Sequence, residues 1–149
     1  MALEYRLTLA GDITTEQIVE SAAVDPAERA TPTETSELFT VDLYDQRGFV
    51  LIIRSGRNGY YEADNDGSTW EWEPDAYVNL TFRMSKEDHI GKGIPNMLAT
   101  VARVLASRAE DAALILNSDV LLLTRMDGAI RKHRQSWWHN YGVSNLIPE

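Results

Sequence analysis

Alternation of apolar and polar residues with a period of two limits this chain's fold more than any other feature. Leu3, Tyr5, Leu7 and Leu9 alternate with Glu4, Arg6 and Thr8. Phe39, Val41 and Leu43 alternate with Thr40, Asp42 and Tyr44, and Val78, Leu80, Phe82 and Met84 repeat the pattern further on. Successive side chains of a strand point to opposite faces, so each stretch reads as a strand with one buried side and one wet side. Turn residues separate them. Asp45-Gln46-Arg47-Gly48 precedes a returning strand over 49–54, and Asn58-Gly59 marks another break. Asp66-Gly67, between Tyr60-Tyr61-Glu62 and Thr69–Glu73, is the dipeptide that tight hairpins favour.

Two segments carry helical spacing instead. Thr14 or Thr15 can cap a first helix in which Glu16 suits the dipole and Ile18, Val19 and Ala22 form the apolar stripe. Gly93-Ile94-Pro95 opens a second, with Met97, Leu98, Val101, Val104 and Leu105 on one side. Asp111–Asn117 and Asp119–Arg125 read as further strands, and the basic, aromatic tail suggests a short helix around Ile130–Ser136. The element order is then β-α-β-β-β-β-β-α-β-β. It predicts one α+β domain over 1–149, an antiparallel β-sheet meander with the two main helices packed on one face. Val24–Glu37, rich in Pro, Ala, Thr and Glu, reads as a polar surface loop within that domain. No Gly-rich turn joins a strand to a helix, which argues against a dinucleotide fold.

Charge narrows the function classes. Residues 1–89 hold 18 Asp and Glu against 7 Lys and Arg, whereas residues 90–149 hold 5 against 7, for a net −9. An acidic surface repels phosphate backbones and steers a basic partner inwards. The chain has no cysteine, hence no disulfide, thiolate nucleophile or Cys-based zinc site. The first residues carry an early acid and no secretory pattern. No stretch approaches the ~18 apolar residues of a membrane span. A cytoplasmic protein fits these features.

Candidate chemistry is sparse. Asp64-Asn65-Asp66-Gly67-Ser68 superficially resembles a calcium loop, but its Gly falls at the fourth position instead of the sixth, and a hairpin turn accounts for it. Glu71 and Glu73 share one strand face with Trp70 and Trp72 on the other, the pattern of an amphipathic strand more than of a catalytic carboxylate pair. His89, His133 and His139 show no ligand spacing, and no G-x-S-x-G elbow is present. Arg131–Arg134 followed by Trp137-Trp138 could stack on a nucleic acid, or could dock its aromatics on the sheet with its charges in water; the acidic balance favours docking. Binding is the expected role, with no catalytic residues, metal or cofactor.

A longer pattern covers most of the chain outside Val24–Glu37. Met1–Tyr5 continues into Leu9-Ala10-Gly11, Met97–Leu105 follows, then Asp111–Asn117, Val120–Arg125, Gly128 and Trp137-Trp138. This resembles the bacterial swarming-inhibition (Sit) immunity family, which protects a cell from a contact-delivered sibling toxin. Ile130–Arg134 departs from the pattern in being unusually basic. The resemblance implies a partner, a cognate protein toxin with a basic surface, while the acidic charge and the lack of a long apolar stretch argue against nucleic acid and membrane. Aromatic anchors within a charged rim carry most interface energy. Tyr60, Tyr61, Glu62, Asp64, Asp66, Trp70, Glu71, Trp72 and Glu73 are therefore the expected toxin-binding residues. The alternative is a small-ligand or regulatory binding module, and after it an uncharacterised hydrolase.

Overall fold

The computed structural model describes residues 2–22, 38–87 and 89–148, so the expected loop Val24–Glu37 lies outside the described residues, as does the side chain of His89. Nine strands form one sheet among the described residues. They are β1 (Ala2–Ala10), β2 (Leu38–Leu43), β3 (Phe49–Arg57), β4 (Tyr61–Asn65), β5 (Ser68–Trp72), β6 (Ala76–Ser85), β7 (Ala112–Leu116), β8 (Val120–Met126) and β9 (Ala129–Lys132). The helices are α1 (Thr15–Ser21), α2 (Tyr44–Arg47), α3 (Ile94–Ser107) and α4 (Gln135–Asn140), with a π-helical turn over His89–Gly93 leading into α3. The fold is α+β, as the alternation requires.

The strand order is β2-β3-β6-β1-β7-β8-β4-β5, with β9 also on β8. All pairings are antiparallel except that of β4 with β8, which joins Asp64 to Val120. The expected antiparallel meander is thus corrected to a mixed sheet whose centre is β1. The reason lies in the wet side of β1: Thr8 and Arg6 stand beside Ala113 and Ile115 of β7, an apolar strip that needs a cover. The β4–β5 hairpin supplies one and leaves the sequential order, so that β3 pairs directly with β6.

Register places the alternating apolar residues together. Tyr5, Leu7 and Leu9 oppose Phe82, Leu80 and Val78, and Leu51 and Ile53 oppose Phe82 and Leu80. These side chains join one buried cluster with Ile18 and Val19 of α1, Met97, Leu98, Val101 and Val104 of α3, and Trp137 and Trp138 of α4. Thr14 caps α1 through a reciprocal box, its Oγ1 accepting from Gln17 N–H at 3.1 Å while Gln17 Oε1 accepts from Thr14 N–H at 3.0 Å. Pro95 occupies the first turn of α3, where its missing donor costs nothing. At the other end of α3, the buried Arg125 guanidinium donates to the Leu105 carbonyl and, at 3.0 and 2.8 Å, to that of Glu110, placing a cation where the helix dipole is negative.

The tail departs from expectation. Ile130–Ser136 does not form one helix, because Asp127 and Gly128 (φ 52° and 82°) turn the chain back and Ala129–Lys132 pairs with β8. The helix starts five residues later than expected, at Gln135. Its tryptophans dock on the sheet: Trp138 Nε1 donates to the Leu122 carbonyl at 3.0 Å, and Trp137 lies 5.9 Å from the Tyr5 ring.

Candidate functional site

The β4–β5 hairpin closes on Asp66 and Gly67, both with positive φ (51° and 94°), the two-residue turn that matches strand twist. Asp64 Oδ1 accepts from Gly67 N–H at 3.1 Å and fixes the turn. At the opposite end, Asn58 and Gly59 N–H groups donate to the Asp75 and Pro74 carbonyls at 2.6 and 2.9 Å, so the two strands of the neck are pinned together. Gly56 lies so close to the Tyr77 ring that a Cβ there would stand 2.5 Å from the phenol oxygen. The chain therefore leaves the sheet at a fixed point.

From that neck the hairpin runs over the sheet. Tyr61 lies 5.9 Å edge-on to Tyr77 of β6, and its hydroxyl donates to Asn79 Oδ1 at 3.1 Å. The far end reaches β8 at Asp64. Between these anchors Ala63 is buried with Ala113, Ile115 and Leu121, and Tyr61, Trp70 and Trp72 pack partly buried against them. Trp72 lies 6.0 Å from Tyr61 and 5.9 Å from Trp70.

Alternation therefore divides the nine expected contact residues between the two sides of the hairpin. Tyr61, Trp70 and Trp72 turn inwards as a packed floor, and Glu62 faces Glu71 on the other side. Tyr60, Glu62, Glu71 and Glu73 are exposed, whereas Tyr61, Trp70 and Trp72 are half-buried. The aromatic anchors and the acidic rim do not form one patch. Tyr60, 53% exposed, is the aromatic ring that stays with the acids. Its hydroxyl donates to Glu62 Oε2 and Glu71 Oε1, each at 3.0 Å. Those two bonds, that to Glu71 foremost, push the Tyr60 phenol up to about 12, because ionising it would set a third negative charge beside two. Burial raises the Tyr61 phenol instead, opposed by its bond to Asn79.

Asp64 and Asp66 have another task. Arg134 pairs with Asp64 Oδ2 through its guanidinium, and its backbone N–H donates to Asp66 Oδ2 at 3.3 Å. Next to it, His133 bridges Asn65 Oδ1 at 3.0 Å and Thr124 Oγ1 at 2.9 Å. The tail thus clamps the turn to the sheet. The basic run over 131–134 gave this away only in part: its charge was visible, its opposite number across 68 residues was not.

Sequence reasoning also missed a groove beside the hairpin. The polar sides of β3, β6 and β1 bring Arg54, Arg83 and Arg6 together, and with Tyr60 and Tyr61 at the edge they line an open groove of about 550 Å³. Arg6 Nη2 donates to Glu4 Oε1 at 3.1 Å and Arg83 Nη2 to Glu4 Oε2 at 3.3 Å, so one carboxylate holds two guanidinium groups. Among the described residues no group of three or more His, Asp or Glu is placed to hold a metal ion. No helix among them is long and apolar enough to cross a membrane.

Comparison with known proteins adds one finding. A family model described as SitI3-like matches residues 3–142, nearly the whole chain. No curated protein and no solved structure matches it.

Proposed function

Because the chain belongs to the SitI3-like family of Sit immunity proteins, we propose that it binds and neutralises a cognate bacterial toxin in the cytoplasm of the cell that makes it. The match over residues 3–142 carries this reading, since it spans every element from β1 to α4. In it, α1 and α3 stand together behind the sheet, and the hairpin side is turned to the toxin. Glu62, Glu71 and Glu73 form the contact, with Tyr60 as its anchor. Tyr61, Trp70 and Trp72 support that contact from beneath, and Asp64 and Asp66 hold the tail that steadies it.

Physical chemistry supports this corner of the molecule. Glu62 and Glu71 are exposed and cross-strand neighbours, and like charges in that position destabilise a hairpin. Among the described residues neither forms an ion pair with Lys or Arg, so the charge is available to a basic partner. Such a partner would relieve the repulsion and gain on-rate from long-range steering. The test is co-expression with the toxin encoded beside its gene, followed by titration calorimetry on the purified pair. Protection by the native protein and a loss of at least about tenfold in affinity for Glu62→Lys/Glu71→Lys are expected. Unchanged affinity would remove the corner from the interface, and an unprotected cell would remove the function.

A further inference from the structure

The uncovered half of the hairpin side of the sheet has a chemistry opposite to the acidic corner. Register fixes its layout. Val50, Arg83 and Glu4 form one row across β3, β6 and β1; Ile52, Thr81 and Arg6 form the next; Arg54, Asn79 and Thr8 form the third. The hairpin covers the third row from the β1 side, where Thr8 is 1% exposed, and leaves Arg54 and Arg83 open to solvent. Three guanidinium groups therefore share this surface with one carboxylate, in a chain whose formal charge is −9. That distribution is not a general balancing of charge. Balancing would scatter the arginines among the acids, as Arg57 is set against Asp12 at 3.3 Å.

The groove is also prepared to receive a ligand. Arg6 is braced on two sides, with Nε donating to Thr81 Oγ1 at 3.2 Å and Nη2 to Glu4. Glu4 holds Arg83 in the same way. Each guanidinium has five donors, so both retain several that these bonds leave unused. Among the described residues the Arg54 guanidinium has no hydrogen bond or ion pair. Bracing reduces the side-chain entropy lost when an anion binds.

We propose that this groove binds an acidic, extended segment of a partner protein, with carboxylates received by Arg54 and by the Arg83–Arg6 pair. The spacing selects the occupant. Arg54 lies opposite Asn79, four residues along β6 from Arg83, a separation of roughly 13 Å between attachment points at strand rise. A single phosphate does not span that distance, whereas an extended peptide with acidic residues four apart does. A nucleic acid would continue past the groove onto Glu62 and Glu71, where its phosphates meet like charge. The groove and the corner share Tyr60, so one partner can engage both, presenting an acidic segment beside a basic patch. This deepens the toxin-binding reading and rests on it for the partner's identity. The chemistry of the groove does not.

The experiment uses the full chain and no toxin. The ¹⁵N-labelled protein is titrated with a blocked heptapeptide, Thr-Glu-Thr-Thr-Thr-Glu-Thr, and with its Gln-for-Glu counterpart, inorganic phosphate and oligothymidylate as separate arms. Expected are shifts in the arginine Nε–H and Thr81 amide signals with the acidic peptide alone, weakened about tenfold by Arg54→Glu and by Arg83→Glu. Arg54→Gln serves as the variant that adds no new charge, and an unperturbed amide spectrum confirms that each variant is folded. The proposal is overturned if the Gln peptide, phosphate or oligothymidylate shifts the same signals as strongly. It is equally overturned if the Arg54 variants bind as the native protein does, or if the groove signals move on dilution, which would make the occupant a second copy. Peptide binding in a protein that fails to protect cells sinks the toxin reading alone; protection without peptide binding sinks the groove alone.

Discussion

On one side of the sheet Leu7, Leu51, Leu80 and Phe82 are all 0% exposed and share one buried cluster with residues of α1, α3 and α4. On the other, Ala113, Ile115 and Leu121 are covered by a single hairpin, whose Tyr61, Trp70 and Trp72 are only half-buried. The first side is packed like a domain interior, where each lost methylene is felt. The second is a thin cover whose outer surface is charged. Stability is concentrated in the first side, and the proposed contact surface rests on a minor cluster. An interface can then change its charged residues without disturbing the core that holds the fold.

Substitutions would sharpen or break this contrast. The largest effect is expected for Phe82→Ala, which removes a buried ring that packs edge-on to Phe49 at 5.1 Å, with a loss of about 3–5 kcal/mol in urea unfolding. Trp72→Ala should cost less, about 2 kcal/mol, because the ring is only partly buried. Its signature is local: hydrogen exchange should quicken across 61–72 while β1 and β6 amides stay protected. Equal losses for the two substitutions would erase the distinction between the sides. Arg134→Ala should cost about 0.5–1 kcal/mol, since its pair with Asp64 is a third or more exposed on both partners. The same substitution should loosen the turn at Asp66 in exchange experiments. A global loss as large as that of Phe82→Ala would show the tail to be part of the main core.

The smallest effect is a titration. The Tyr60 phenol is raised above its ordinary value of 10 to about 12 by Glu71 and Glu62, so the folded state retains its proton where the unfolded chain loses it. Its share of stability is present below pH 10 and declines as pH climbs towards about 12. Ring signals of Tyr60 followed by NMR should show the late midpoint, and Glu62→Gln/Glu71→Gln should return it towards 10. A midpoint indifferent to both substitutions would mean that the phenol does not bridge the carboxylates.

Much of the fold was legible because it is written in local pattern. The period of two in β1 and β6, the capped start of α1, Pro95 in the first turn of α3 and the Asp66-Gly67 turn each depend on residues close in sequence. What pattern cannot carry is which strand lies beside which. The hairpin's departure from its sequential neighbours depends on Trp70 and Trp72 meeting Ala113, Ile115 and Leu121, more than forty residues away. The start of β9 was missed for a different reason: Asp127-Gly128 carries the same turn signal as Asp66-Gly67, but the basic residues after it suggested a helix. For the candidate site, alternation already placed Glu71 and Glu73 opposite Trp70 and Trp72. It could not show that Asp64 and Asp66 answer to Arg134, nor that arginines from three strands converge.

The position of β1 decides when the sheet can close around it. Within the sheet, β1 is made before both of its neighbours, β6 and β7, the latter ending at Leu116. Until the ribosome has released that far segment, Ala2–Ala10 has one finished neighbour at most and an open edge. Loops of this length make closure slow, in the range of milliseconds to seconds for sheet-rich domains. Until then β1 presents an unpaired strand edge, the kind of surface through which incomplete chains misassociate.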